Sequence, residues 1–306
     1  MWSLSVKKHT IYLCLMMGGF LLIGQQDPIY SQLSFNILQF NPGYTGSRDA
    51  ISGVATYRTQ WTKIDGQPQS FNLGIHTPLK NKISLGANFA YDEIGISKHT
   101  FSNLMAAYRI NFESSFLQFG MQAGLETLNS KLSSIKTTDI NDPAFASDQN
   151  INLFNIGAGL YYSSEKLYLG LSLPTLLSHK NYYQSQGSDQ KRYTHLYGLI
   201  GYVQKLNDNF IFRPSMVTRW SSGTTLFLDL NASIIWNDLV WAGISYKTSH
   251  VMVFMTQLHL KGEIFVGYSY DLGLANSVIK NSPTHEVMLG IDVPKGSRRF
   301  SSPRYF

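Results

Sequence analysis

Apolar and polar positions alternate along much of this chain. Within 116–126, Leu117, Phe119, Met121, Ala123 and Leu125 share one side, while Gln118, Gly120, Gln122, Gly124 and Glu126 share the other. Successive side chains of a strand point to opposite faces, so the pattern predicts a strand with one apolar and one polar face. Segments 83–91, 154–162, 167–173, 226–236, 264–270 and 287–293 repeat it. Their polar sides are rich in Gly, Ser, Asn, Gln and Asp. Many long strands of this kind, with no helix between them, predict an all-β fold: a transmembrane antiparallel β-barrel, apolar toward lipid and polar toward its lumen. A soluble sandwich would require a second sheet over every apolar face, which the length and regularity of the strands disfavour.

The segments number roughly fourteen, each about ten residues long, as a tilted membrane strand requires. They fall near 51–60, 68–78, 82–92, 100–110, 115–126, 152–163, 166–174, 190–205, 209–219, 224–236, 239–247, 250–260, 263–271 and 284–293. Twelve or sixteen strands also fit. An even count returns both termini to one side, and the connections agree. Every second one (79–81, 111–114, 164–165, 206–208, 237–238 and 261–262) is tight, and most carry Asn, Asp or Gly. The others include the longest gaps, 127–151, 175–189 and 272–283. Two of that set, near 221–223 and 248–249, are short. The tight set is expected on the periplasmic side and the long set at the cell surface.

The N-terminus adds a compartment. Lys7 and Lys8 precede an apolar run, 11–23, broken by Gly18 and Gly19. That run is too short for a spanning helix, and the pattern is that of a secretory signal peptide ending near Gly24. Cys14 is the only cysteine and lies within it, without the small residue expected before a lipoprotein cysteine. Cleavage would leave a chain with no cysteine, excluding disulfides and thiolate chemistry. It would also lower the formal charge from +6 to +4 by removing the two lysines. The expected organisation is a signal peptide at 1–24, an N-terminal segment at 25–50, a barrel at 51–293 and a basic tail at 294–306. Segment 25–50 is too polar for lipid and too aromatic for a free linker; it either plugs the lumen or lies beneath the barrel.

Candidate chemistry is sparse. The sequence contains no nucleophile elbow, phosphate-binding loop or zinc-protease helix. His76, His195, His259 and His285 fall on separate strands, so no catalytic residue, cofactor or metal site is assigned. Asp139, Asp142 and Asp148 cluster in one long loop, but without the Gly and closing Glu of a calcium loop. A solvated, turn-rich loop is the better reading. Arg58, Arg109, Arg213 and Arg219 fall on inferred lumen faces with Glu126, Asp229 and Glu286, in register with Asp92 and Asp292. They read as a salt-bridged filling of the lumen, or alternatively as a charged constriction. Trp61, Trp220, Trp236 and Trp241 lie near strand ends, as aromatic girdles do. No clustered basic stripe precedes the tail, so no nucleic-acid partner is expected.

Several motifs occur in an order that resembles one family. They are the run 26–32 followed by Phe35-Asn36, Asn41-Pro-Gly-Tyr-Thr-Gly-Ser47, Tyr57-Arg-Thr-Gln-Trp61, Asp65-Gly-Gln-Pro-Gln69, His76-Thr-Pro78, Asp142-Pro-Ala-Phe145, Gly267-Tyr-Ser-Tyr-Asp271 and His285-Glu286. Together with Ser302-Pro-Arg-Tyr-Phe306, they resemble PorP/SprF proteins across the mature chain. The resemblance implies an outer-membrane component of the type IX secretion and gliding-motility machinery of Bacteroidota, with no catalytic activity. Its implied partners are a secreted adhesin or its C-terminal targeting domain, and periplasmic lipoprotein or peptidoglycan-linked components, besides outer-membrane lipid. The spaced aromatics of the N-terminal segment and the basic-aromatic tail suit protein interfaces. They nominate Asp27, Pro28, Phe35, Asn41, Pro42, Tyr44, Arg304, Tyr305 and Phe306 as docking residues on the periplasmic side. The alternative function is a transport channel similar to long-chain fatty-acid porins.

Overall fold

A computed structural model describes residues 30–80, 82–135, 147–177, 183–185, 188–190, 194–222, 225–260, 263–274 and 282–294. The strands are β1 (Ala50–Thr59), β2 (Gln69–Pro78), β3 (Ile83–Ile94), β4 (Ser97–Asn111), β5 (Ser115–Ser130), β6 (Gln149–Ser164), β7 (Leu167–Leu173), β8 (Tyr183–Ser185), β9 (Ser188–Gln190), β10 (His195–Tyr202), β11 (Gln204–Lys205), β12 (Phe210–Ser221), β13 (Phe227–Trp236), β14 (Val240–Lys247), β15 (Val251–Leu260), β16 (Ile264–Gly273) and β17 (Thr284–Pro294). β8 and β9 form a separate hairpin. β11 prolongs the edge of β10, and the remaining 14 strands close an antiparallel barrel, sealed by β1 against β17 and by β10 against β12.

Proline explains why β10 and β11 are two pieces. Gly201 pairs with Ser215 and Gln204 with Phe212, so one register runs through both. The interruption falls beside Pro214, which has no N–H to give the ladder.

All fourteen expected segments are present. β4, β5 and β6 are longer than their alternation suggested, reaching 15, 16 and 16 residues. The connection between β3 and β4 shrinks accordingly to Gly95 and Ile96, with Gly95 at φ 58°. It thus joins the short loops at the otherwise long-looped end. At the tight end, Asn237 and Asp238 both take positive φ, 50° and 56°, as a type I′ turn requires. Ala50 pairs with Pro294, which puts the start of β1 and the end of β17 together at that tight end.

The alternation sorts the faces as expected. In β5, Phe119 and Met121 are exposed (Met121 at 68 %), while Gln118 and Gln122 are buried. Leu104, Leu125, Phe154 and Leu289 extend the outer apolar surface to neighbouring strands. Trp220 and Trp236 are exposed near opposite strand ends, as girdle residues are. Trp241 departs from that expectation: it is buried inside the barrel, packed edge-on to Phe35 and stacked on His259. It falls on the inward side of β14 with Ser245 and Lys247, so alternation overrides its place near the strand end.

A barrel of this many strands leaves a lumen too wide for its own side chains to fill. Residues 30–47 occupy it. They form three single 3-10 turns, Leu33–Phe35, Ile37–Gln39 and Pro42–Tyr44, and almost every side chain is buried. This inner segment joins the wall at Ala50.

Candidate functional site

Among the described residues, buried charge, polar chain and aromatic rings converge in the lumen, and the inner segment organises it. At the long-loop end, Glu286 of β17 accepts the backbone N–H groups of Ser31 at 2.6 Å and Gln32 at 2.9 Å. Arg58 of β1 bridges Asp271 at 2.9 Å and Glu286 at 3.4 Å, and also meets the Ser31 hydroxyl. Lys247 of β14 donates to the Tyr30 carbonyl at 3.1 Å and lies 4.0 Å from Asp271. All four ionic groups are buried. Removing charge from water is offset only when partners and hydrogen bonds compensate, and here two cations face two anions with backbone donors besides.

At the centre, Arg213 donates to the Ser34 carbonyl at 3.0 Å and lies over the rings of Phe35 and Tyr168, 4.8 and 5.2 Å from their centroids. Asn36 donates to Asn72, which exchanges hydrogen bonds with Asn88. Asn41, Pro42 and Gly43 rest on a bare patch of wall. A Cβ on Gly120 would sit 2.1 Å from the Pro42 carbonyl oxygen, and one on Gly159 would sit 2.2 Å from Asn41 Oδ1. The missing side chains let Asn41 reach the Leu160 carbonyl at 2.9 Å, while its own oxygen caps the next turn through Gly43 N–H at 2.8 Å.

At the tight-turn end, Arg48 pairs with Asp292 at 2.7 Å and donates to the Tyr44 hydroxyl at 2.8 Å. Gly46 N–H donates to His76 Nδ1 at 2.8 Å, and Gln118 donates to the Thr45 carbonyl at 2.9 Å. Arg109 holds Asp49 at 2.6 Å and the carbonyls of Gly46 and Ser47 at 2.8 and 3.0 Å, with its guanidinium over Phe116. The segment therefore crosses the lumen from the long-loop end to the tight end, fastened at both ends and in the middle.

A family model described as type IX secretion system membrane protein PorP/SprF matches residues 22–291. The chain belongs to the PorP/SprF family. This family and a barrel of this architecture place the protein in the outer membrane, as a membrane component of type IX secretion. Among solved structures, it is similar to the outer-membrane protein Omp33 of Acinetobacter baumannii, with 8 % identity and a TM-score of 0.47 over 80 % of this chain and 99 % of that one. It is also similar to the toluene transporter TbuX of Ralstonia pickettii, with 9 % identity and a TM-score of 0.48 over 84 % and 92 % of the two chains. No curated protein sequence matches it.

Several of the family motifs fall on the seat of the inner segment. Asn41, Pro42 and Gly43, which open the run 41–47, rest on the glycine patch, His76 receives Gly46, and Asp271 and Glu286 form the long-loop clamp. The charged residues expected in the lumen lie there, but in separate clusters. Arg58 and Glu286 meet directly; Arg109 and Arg213 hold backbone of the inner segment. Glu126 pairs with His99, Asp229 accepts from Ser245, and Arg219 lies over Phe227. Arg48, Lys247, Asp271 and Asn72 complete the site. Lys247 and Asp271 share the inward alternation of their strands, a signal the sequence carried.

The docking assignment is corrected for Phe35, Asn41, Pro42 and Tyr44. All four are buried within the lumen, so they offer no periplasmic surface to a partner. Spaced aromatics in a polar segment do mark burial against protein, but the protein is this chain's own wall. Asp27, Pro28, Arg304, Tyr305 and Phe306 lie outside the described residues, as do Asp139 and Asp142. Asp148, the third acid of that loop, accepts from Ser133 N–H and hydroxyl, which hold its carboxyl below the usual range.

Proposed function

We propose that this protein is a non-enzymatic part of the type IX secretion and gliding-motility machinery that supports secretion or surface attachment of adhesins, acting as a closed scaffold rather than a conduit. The observation that carries the scaffold reading is the lumen itself. Residues 30–47 fill it and are held by ion pairs and backbone hydrogen bonds at both ends. A passive channel similar to fatty-acid porins would need a continuous path, and the clamped segment stands in its way. With the inner segment committed to the lumen, the surfaces left for partners are the loops 127–150 and 175–189 and the tail 295–306. A secreted adhesin or its targeting domain would meet the loops; a periplasmic lipoprotein or peptidoglycan-linked component would meet the tail.

The test is a deletion strain complemented with the wild-type protein or with a chain truncated after residue 296. Loss of adhesin from the cell surface in the deletion, with restoration by the wild type, supports the secretion role. Normal adhesin display without the protein would refute it. A truncated barrel that assembles but loses its periplasmic partner in affinity purification assigns docking to the tail, and one that keeps both partner and display excludes it.

A further inference from the structure

The inner segment has a direction, and one strand shows it. β17 runs from the long-loop end to the tight-turn end and holds the segment twice. Glu286, near its start, accepts the N–H groups of Ser31 and Gln32, and Asp292, near its end, pairs with Arg48. Positions 286 and 292 stand about 20 Å apart at the rise of a strand. The other contacts agree. Arg58 and Asp271, which meet at Ser31, lie close to the ends of β1 and β16, and Lys247, which holds the Tyr30 carbonyl, is the last residue of β14. Those three strands all end at the long-loop face. Arg109, which grips Asp49 and the carbonyls of Gly46 and Ser47, lies close to the end of β4, where the chain enters a tight turn.

The chain thus enters the lumen among the long loops and leaves it among the tight turns, where Ala50 pairs with Pro294. The even strand count fixes the sides of those two barrel ends only. Residues ahead of Tyr30 approach from the opposite face. A route that first climbed the lumen from the tight end would need room for a second chain beside residues 30–47. Those residues are almost all buried, and a close-packed interior leaves no such room.

We propose that residues 30–49 are a through-strap that sends the processed N-terminus to the cell surface while the tail after Pro294 stays on the periplasmic side. The two ends of one chain then lie on opposite sides of the outer membrane, joined through the lumen rather than around it. Asp27 and Pro28, nominated from the sequence as periplasmic docking residues, become surface residues instead. The assignment rests on removal of residues 1–24 and is independent of the secretion role.

The experiment uses the full-length chain in cells. The expected signal peptide carries the only cysteine, Cys14, so introduced cysteines report position without background. Asp27→Cys, Ser34→Cys, Ser134→Cys and Asp208→Cys are made separately and treated with a membrane-impermeant maleimide, read as a mass shift on gels. Ser134 marks the long-loop face and Asp208 the tight-turn face, and both are exposed. Asp27→Cys is expected to label together with Ser134→Cys on intact cells, and Asp208→Cys only after permeabilisation. Ser34→Cys, buried in the lumen, is expected to label in neither condition. The comparison is between faces, so it holds for either orientation of the barrel. If Asp27→Cys fails to assemble, Gln26→Cys replaces it. Labelling of position 27 in step with Asp208→Cys, its absence in both conditions, or an intact mass that retains residues 1–24 would overturn the proposal.

Discussion

At the scale of single residues, the lumen glycines and the buried charges carry most of the specificity. Gly120 and Gly53 both sit in strands, yet substitution should separate them. A Cβ on Gly120 collides with Pro42 backbone, whereas one on Gly53 meets Ile291 and the Gly74 carbonyl oxygen at an ordinary 3.4 and 3.9 Å. Gly120→Ala is expected to cost about 1–3 kcal/mol as overpacking, and Gly53→Ala much less, read from urea midpoints of the folded barrel in liposomes. Arg58→Ala would leave Asp271 and Glu286 without their shared cation, a loss of about 3–5 kcal/mol on the same measurement. Equal midpoints for wild type and Arg58→Ala would show the clamp to be solvated rather than buried. The faces of β5 give a third test. Met121→Arg places a charge in lipid at a cost of about 2–4 kcal/mol, while Gln122→Arg keeps a donor for the Pro174 carbonyl. Only the first is expected to abolish heat-modifiable mobility on gels.

The decisive element is the inner segment rather than any strand. Its three short turns have no core of their own, so the wall supplies their hydrogen-bond partners and their packing. Deleting 30–47 is expected to leave the strand register intact, because every ladder of the barrel lies within the wall. It should also open the lumen. Planar-bilayer recordings would then show sustained conductance for the deletion and little for the wild type. A wild-type protein that conducts as well as the deletion would return the transport reading to favour. The breadth of the contacts matters here, since Arg58, Arg213, Arg48 and Arg109 each hold a different part of the segment. Loss of one clamp should loosen the plug at one end and produce intermittent openings rather than a fully open pore.

For the whole molecule, the even strand count brings the start of β1 and the end of β17 to the tight-turn end. Because barrels of this kind keep short turns on the periplasmic side, the loop between β5 and β6 is expected outside the cell. An epitope inserted beside Ser134 should be reached by antibody on intact cells, and one appended to the tail only after permeabilisation. The reverse labelling would invert the barrel. The same orientation places the Arg58–Glu286 clamp toward the surface and the Arg48–Asp292 pair toward the periplasm.

The period-two pattern by itself determined the barrel, the approximate strand positions, the lipid and lumen faces and the return of both barrel termini to one side. These follow from local rules: side chains alternate, and a chain in lipid must satisfy its backbone in a closed sheet. The inward direction of Arg58, Arg213 and Glu286 was legible for the same reason. The partners of those charges were not. Glu286 meets Ser31 across 255 positions of sequence and Arg58 meets Asp271 across 213, and no local pattern records which distant groups share a lumen. The same holds for Phe35 and Tyr44. Their spacing signalled burial against protein, but only the closed wall, with glycines cleared at 120 and 159, decided that the protein was the barrel itself.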